Sequence, residues 1–150
     1  MSTNAVVACP SCGQRNRVPA VASGTPRCAS CHQSLPWLAS AGDEDFAEVA
    51  RDAPVPVLID LWAPWCAPCR QVSPVVESMA RTFTGRMKVV KVNADEAPRT
   101  SSAFAVSAIP TLLLLRDGAE VSRRVGALPP AAMQAWLSAE LSAPGSPGAG

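Results

Sequence analysis

Long apolar runs, an excess of one charge and an export signal are all missing from this 150-residue sequence. Its longest apolar stretches, Val55–Trp62 and Ile109–Leu115, are strand-sized, which excludes a transmembrane helix. Thirteen basic and twelve acidic side chains leave a formal charge of +1, so no whole-chain field points to nucleic acid or to an anionic membrane. Met1–Ala8 carries neither a basic leader region nor a long apolar core, so no secretory signal is read. There is no internal repeat beyond a cysteine spacing. Residues 1–40 contain no acid and too few large apolar side chains to build a core unaided. What is present is a globular composition, 48% hydrophobic and 17% charged, sized for one domain and a small appendage.

The six cysteines fall into three pairs of one spacing, Cys9/Cys12, Cys28/Cys31 and Cys66/Cys69. Without an export signal they argue against a disulfide framework and for metal binding or redox chemistry. Cys9-Pro-Ser-Cys12 and Cys28-Ala-Ser-Cys31 are separated by fifteen residues, the pattern of a two-knuckle zinc ribbon. Gly13 permits the tight backbone that aims amides at the sulfurs, and Arg15, Arg17 and Arg27 partly offset the charge of four thiolates around Zn²⁺. A four-cysteine site is closed, so its role is structural. The competing reading is two disulfides or idle thiols. His32, beside a complete ligand set, is read as a non-ligand.

The chain changes character near residue 40, giving an expected four-cysteine module over 1–40, a larger domain over 41–142 and a Pro/Gly-rich disordered tail over 143–150. In the larger block Asp43 is placed to cap a short helix carrying Phe46, Val49 and Ala50. Val55–Trp62 reads as a strand buried on both faces. Val72, Val75, Val76, Met79, Ala80 and Phe83 recur at helical spacing as far as Gly85, with Pro74 inside the pattern as an expected kink. A strand over Met87–Val92, a short helix near Glu96–Phe104, a hairpin about Asp117-Gly118 and a helix opened by Pro129-Pro130 follow. The order is βαβ then ββα, an α/β class with a mixed central sheet and helices on both faces. The only candidate for a preceding strand is Leu35–Ala39, so that edge is expected to be short, with Ala39–Gly42 as a linker.

Cys66-Ala-Pro-Cys69 sits between the buried strand and the amphipathic helix. Free amides and the macrodipole would stabilise a thiolate on Cys66 at the helix start, leaving an electron-rich and reachable sulfur. Cys69, one turn in, can attack a mixed disulfide, and Pro68 rigidifies the ring and suits a first turn. A third zinc knuckle lacks a fourth pair to complete it; an inert core pair is the other alternative. Asp60 is a carboxylate in an otherwise buried run, where burial raises its pKa and suits it to accept the Cys69 proton. Against that stands an acid reaching solvent or pairing with Lys91. Pro110 heads a strand, which requires a cis bond or an open edge and leaves neighbouring backbone groups free for an extended substrate.

With these residues in hand, residues 41–142 resemble the thioredoxin family. Val57-Leu-Ile-Asp-Leu-Trp-Ala-Pro-Trp-Cys-Ala-Pro-Cys-Arg70 is similar to its active-site signature. The resemblance implies a thioredoxin fold, with the buried acid at Asp60, aromatic flanks at Trp62 and Trp65, the helix proline at Pro74 and the lysine near the acid at Lys91. It further implies a cis-proline at Pro110 after Ile109, and a groove glycine at Gly126. Ala67 replaces the family's usual glycine. With its four N-terminal cysteines the whole chain looks like the zinc-binding branch, the thioredoxin 2 type. That implies a cytoplasmic protein-disulfide reductase with one structural Zn²⁺ and a redox-active Cys66–Cys69 disulfide. It implies no bound organic cofactor, with disulfide-containing target proteins and an NADPH-dependent thioredoxin reductase as partners.

The expected mechanism has the Cys66 thiolate attack a target disulfide while Pro110, Trp65, Ala67, Pro68, Ile109 and Gly126 line the groove. Asp60 then takes the Cys69 proton and Cys69 resolves the mixed disulfide. No basic residue lies in Ala67-Pro68, so a reducing couple is expected. A monomer is expected, with no nucleic acid, since no aromatics interleave with the three arginines of residues 1–40, and no membrane. The rival readings are a zinc-ribbon binding module with the larger domain as scaffold, and a redox sensor whose ligand cysteines release zinc on oxidation.

Overall fold

The computed structural model describes residues 5–143. They run through β1 (Ala5–Ala8), β2 (Arg15–Val18), β3 (Trp37–Ala41), a π-helical turn (Ala47–Arg51), β4 (Val57–Trp62), α1 (Ala67–Thr82), β5 (Lys88–Asn93), α2 (Pro98–Ala103), β6 (Thr111–Arg116), β7 (Ala119–Val125) and α3 (Pro130–Ser142). The apolar run expected to be covered on both faces is β4, the central strand of a five-stranded sheet ordered β3-β5-β4-β6-β7. It pairs in parallel with β5 and antiparallel with β6, so the sheet is mixed, as the βαβ-then-ββα order requires. The family's fold is thereby present: a central mixed sheet flanked by helices. Among the described residues no helix is long and apolar enough to cross a membrane.

Alternation along β4 divides the core in two. Ile59 and Leu61 pack with Val90, Val92, Leu113 and Leu115 against Phe46, Val49 and Ala50 of the π-helical turn region. Leu58 faces the opposite way, among Val89, Leu112 and Leu114, and is covered by Val72, Val76 and Met79 of α1 and by Met133, Trp136 and Leu137 of α3. Asp60 lies two residues from Leu58 and therefore points to the α1 face, where its Cα partners are Lys91 on β5 and Leu112 on β6. The hairpin signal holds: Asp117 (φ 53°) and Gly118 (φ 81°) both take positive φ. A Cβ on Gly118 would stand 2.9 Å from Arg51 Cγ.

Two expectations are corrected. Asp43 does not cap the helical turn that follows it; its carboxylate accepts from the amides of Arg99 (3.1 Å) and Thr100 (2.8 Å) and from the Thr100 hydroxyl (2.8 Å), capping the first turn of α2 from across the chain. Pro98 opens α2 and Ala97 has no capping side chain, so the orphan amides take a distant carboxylate. The first sheet strand overlaps the expected Leu35–Ala39 at Trp37–Ala39 and is, at five residues, the shortest of its sheet, but it starts and ends two residues later than expected. It is β3, whose five residues all pair in parallel with β5, and it runs through the segment expected to be a linker.

The N-terminal block is seated on that edge. β1 and β2 form their own antiparallel hairpin. Val18, Leu35 and Trp37 pack with Cys9 and Cys28 in a small separate core. Trp37 Nε1 donates to the Pro19 carbonyl at 2.9 Å. The ammonium of Lys88, a residue with 1% exposure, donates to the carbonyls of Ala20 and Val49 and stands 4.2 Å from the centre of the Trp37 ring. The tail expected over 143–150 lies, beyond Ala143, outside the described residues.

Candidate active site and metal centre

β4 delivers Trp62 and Ala63 to a short turn that ends on Cys66, the N-cap of α1. Cys66 and Cys69 are joined as a disulfide, with Cα atoms 5.2 Å apart. Helix geometry explains the pairing, since the cap and the third helical residue lie one turn apart, and the Cys69 amide donates to Cys66 Sγ at 3.2 Å. Pro68 sits in the first turn, where its missing N–H costs no helical bond, while Pro74 lies inside α1. Ala67 and Pro68 are exposed. The reachable sulfur expected from the sequence is a narrower opening: in the disulfide Cys66 retains 4% exposure and Cys69 2%.

The Ile109–Pro110 bond is cis, and the Ile109 carbonyl oxygen lies 3.9 Å from Cys66 Sγ. The expectation of free backbone groups beside Pro110 is corrected in part. The Pro110 carbonyl is taken by the Gly126 amide at 2.9 Å, which ties β6 to the end of β7. Gly126 has φ 98°, with open space where a Cβ would stand. Trp65 is 69% exposed, and its indole N–H donates to Asp95 at 3.0 Å. Trp65, Ala94, Asp95, Ser107, Ala108 and Ile109 line an open depression of about 360 Å³ beside the disulfide. Asp95 was not singled out from the sequence; its place at the end of β5, level with the active-site turn, was the available signal.

Asp60 is wholly buried and neither carboxylate oxygen has a hydrogen-bond partner among the described residues. Burial lifts its pKa to about 6; the Lys91 ammonium pulls the other way and the Glu77 carboxylate adds to the rise. The alternative of a direct Asp60–Lys91 pair does not form. Lys91 instead pairs with Glu77 at 3.0 Å and donates to Ser73. Glu77 and Ser73 were also missed from the sequence, although they follow Cys69 at four-residue steps along one stripe of α1.

The four N-terminal cysteines converge. Their sulfurs all lie within 4.8 Å of one another, with Cys9–Cys31 and Cys12–Cys28 both at 3.6 Å, so the group can hold a metal ion. The two knuckles repeat one geometry. Ser11 and Ser30 amides each point at the preceding cysteine sulfur at 3.4 Å, and the amides of Gly13 and His32 each return to the first cysteine's carbonyl at 2.9 Å. Gly13 (φ 82°) and His32 (φ 65°) occupy equivalent left-handed positions, so His32 closes a turn and is not among the grouped ligands. Asn16, also missed, joins the knuckles: its carbonyl accepts from Ala29 at 2.9 Å and its amide reaches Cys28 Sγ at 3.5 Å. The Cys31 backbone amide helps hold the Cys28 thiol down at about 6. Cys31 itself, drawn down by the Gln33 amide, is pushed up to about 12 by burial and by the other three sulfurs. Four sulfurs this close do not all ionise unless a cation lies among them.

Comparison with known proteins places this geometry. Residues 37–139 match the family model described as Thioredoxin. The chain is 44% identical over 103 residues to Thioredoxin 1 of Nostoc sp., covering 69% of this chain and 96% of that protein. It is 46% identical over 87 residues to Thioredoxin of Haemophilus influenzae, covering 58% and 81%. Against Thioredoxin C-3 of Corynebacterium nephridii the identity is 37% over 139 residues, 91% of this chain and 95% of the relative, a span that takes in most of the cysteine-rich N-terminal block. A dithiol on a helix cap, a neighbouring cis-proline and a family match over the whole sheet converge on one assignment: the chain belongs to the thioredoxin family of thiol–disulfide oxidoreductases.

Proposed function

We propose that this is a zinc-stabilised protein-disulfide reductase of the thioredoxin 2 type, in which residues 1–40 hold the metal and residues 41–142 carry the exchange chemistry. The single observation that carries the reading is the Cys66–Cys69 disulfide on the α1 cap beside the Ile109 carbonyl. The reduced form starts the cycle. The Cys66 thiolate, favoured by the helix N-terminus, attacks one sulfur of a target disulfide. A Cys66–target bond forms, the target's S–S bond breaks, and its second sulfur leaves as a thiolate that takes a proton from water. Ile109, Pro110, Trp65, Gly126 and the exposed Ala67-Pro68 turn hold the target chain. Asp60 then accepts the Cys69 proton through water, with Lys91 nearby, and the Cys69 thiolate attacks Cys66 Sγ. The Cys66–Cys69 disulfide closes as the Cys66–target bond breaks, the target sulfur held in that bond leaves as a thiolate and takes a proton from water, and the target departs as a dithiol with two electrons gained. An NADPH-dependent thioredoxin reductase returns them. Pro74 and the α1 face it interrupts support the turn.

The metal assigned to Cys9, Cys12, Cys28 and Cys31 is one Zn²⁺. Thiolates bound at about 2.3 Å in a tetrahedron stand ~3.8 Å apart, close to the 3.6 Å of Cys9–Cys31 and Cys12–Cys28 and within the 4.8 Å that bounds all four sulfurs. All four positions are filled by protein sulfur, so the ion would supply folding energy and no open coordination site. The long match to the Corynebacterium nephridii thioredoxin supports taking the N-terminal block as part of the functional protein. A cytoplasmic, monomeric protein without an organic cofactor completes the reading.

The test is insulin-disulfide reduction with NADPH and a thioredoxin reductase, run beside metal analysis of the same sample. Cys66→Ser should abolish turnover while leaving about one zinc per chain bound. Retained turnover in that variant defeats the reading.

A further inference from the structure

Lys91 stands between two carboxylates that compete for it. Its Cα partner across β4 and β5 is Asp60, whose oxygens are buried and unpartnered among the described residues. The ammonium nevertheless reaches the other way, to Glu77 Oε2 at 3.0 Å and to Ser73 Oγ. Ser73 Oγ in turn donates to Glu77 Oε2 at 3.2 Å, closing a three-residue ring. Solvation explains the choice. Glu77 keeps 42% of its side chain exposed and Lys91 18%, so their pair stays hydrated, whereas an ion pair at Asp60 would take two charges fully out of water.

The consequence is felt at Cys69. Cys69, Ser73 and Glu77 lie on one stripe of α1 at four-residue steps. A cavity of about 100 Å³ is lined by Trp62, Cys69, Arg70, Ser73 and Lys91. Lys91 and Trp62 also wall a second cavity of about 300 Å³ that opens on the far side, by Ser40 and Glu96. The smaller cavity has room for a few waters. Lys91 therefore lines the cavity beside Cys69 while acting on the carboxyl of Asp60, and the position of its ammonium sets how strongly Asp60 attracts a proton. The charged groups that act on Asp60 are Lys91 and Glu77, and the arginines on the adjoining elements have partners of their own. Arg70, on α1, donates to the Pro64 carbonyl at 2.7 Å. Arg124, on β7 opposite Leu112 of β6, lies over the Trp136 ring at 5.0 Å.

We propose that Glu77, with Ser73, is a positioning residue for the exchange reaction: it holds the Lys91 ammonium at its own carboxylate, away from Asp60, and so leaves Asp60 able to accept the Cys69 proton and give it back. The proposal rests on the proton-acceptor role given to Asp60 above. Burial and the Glu77 charge both push Asp60 upward while Lys91 opposes them, which is the direction this arrangement requires. In Glu77→Gln the lysine loses its charged partner and is free to turn toward Asp60, its strand neighbour. Asp60 then binds its proton more weakly.

The experiment is a ¹³C-carboxyl titration of Asp60 by NMR in the full-length oxidised protein, paired with the pH profile of mixed-disulfide resolution. In Glu77→Gln the Asp60 midpoint should fall by about one pH unit or more, the effect of a cation brought within hydrogen-bonding range, and the resolution profile should move to lower pH with it. Glu77→Asp should keep the wild-type midpoint, and Glu77→Gln combined with Lys91→Met should restore or exceed it. A Glu77→Gln midpoint and profile equal to wild type overturns the proposal. Asp60→Asn separates the two levels. If that variant leaves the resolution profile unchanged, the proton-acceptor reading falls and this one with it. If it alters the profile while Glu77→Gln does not, Glu77 fails and Asp60 stands.

Discussion

Replacing Asp60 with asparagine should stabilise the oxidised protein by an amount that grows with pH. The carboxyl is held at about 6 against an ordinary 3.8, which at ~1.4 kcal/mol per pH unit is about 3 kcal/mol. The sign follows from proton counting. Below pH 3.8 both folded and unfolded chains carry the proton, and Asp60 contributes nothing. Between 3.8 and about 6 the unfolded chain releases it while the folded chain retains it, so stability falls as pH rises. Above about 6 the folded protein holds a buried carboxylate and the full penalty is present. Asparagine keeps the shape but cannot ionise, and any fixed cost of burying its amide is the same at every pH. Denaturant unfolding of wild type and Asp60→Asn from pH 4 to 8, with zinc loading matched, reads the difference directly. The gap should widen by roughly 2.5 kcal/mol across that range, the remainder being already lost at pH 4. A gap that stays flat would show that Asp60 is not held protonated by its surroundings, and would remove the physical basis for its role as acceptor.

Two further outcomes follow from other parts of the molecule. Asp43→Ala strips the carboxylate that caps α2 and should cost about 1–2 kcal/mol in denaturant unfolding, with amide exchange rising at Arg99 and Thr100; unchanged exchange there would contradict the cap. Cys12→Ser removes one corner of the sulfur cluster and should take metal content from about one ion per chain to near none, with a lowered thermal midpoint. Full retention of metal in that variant would show that the four sulfurs are not the ligand set.

Features set by local pattern were legible in the sequence. The buried run of β4, the amphipathic stripe of α1 and the Asp117-Gly118 turn each carry their own periodicity or backbone demand, and each is found where expected. The cysteine spacing likewise brought Cys66 to Cys69 and gathered the other four. What escaped depends on partners far along the chain. Asp43 carries the composition of a local cap, but its amides lie 56 and 57 residues on. β3 is Trp-Leu-Ala-Ser-Ala, a weak strand by composition; its first three residues were legible, but its end at Ser40-Ala41, taken for linker, is held by β5 and not by its own preference. Nothing in the strand pattern over Met87–Val92 marks Lys88 for burial, yet its ammonium lies under Trp37 because two carbonyls from distant segments meet it there. Glu77 reads as an ordinary helix-surface acid, and only the β4–β5 register shows which lysine it draws away from Asp60.

The position of β3 also sets where the protein can be cut. Composition invites a truncation at residue 40, keeping the catalytic part and discarding the cysteine-rich leader. Such a shortened chain would lose Trp37–Ser40, four of the five residues that shield one flank of β5. The hydrogen-bonding groups and valines of that strand would then form a bare, sticky border, open to self-association. Lys88 would be left with neither its aromatic lid nor the Ala20 carbonyl. The leader is thus less a passenger than the selvedge of the sheet, and a soluble minimal version would have to begin no later than the strand it finishes.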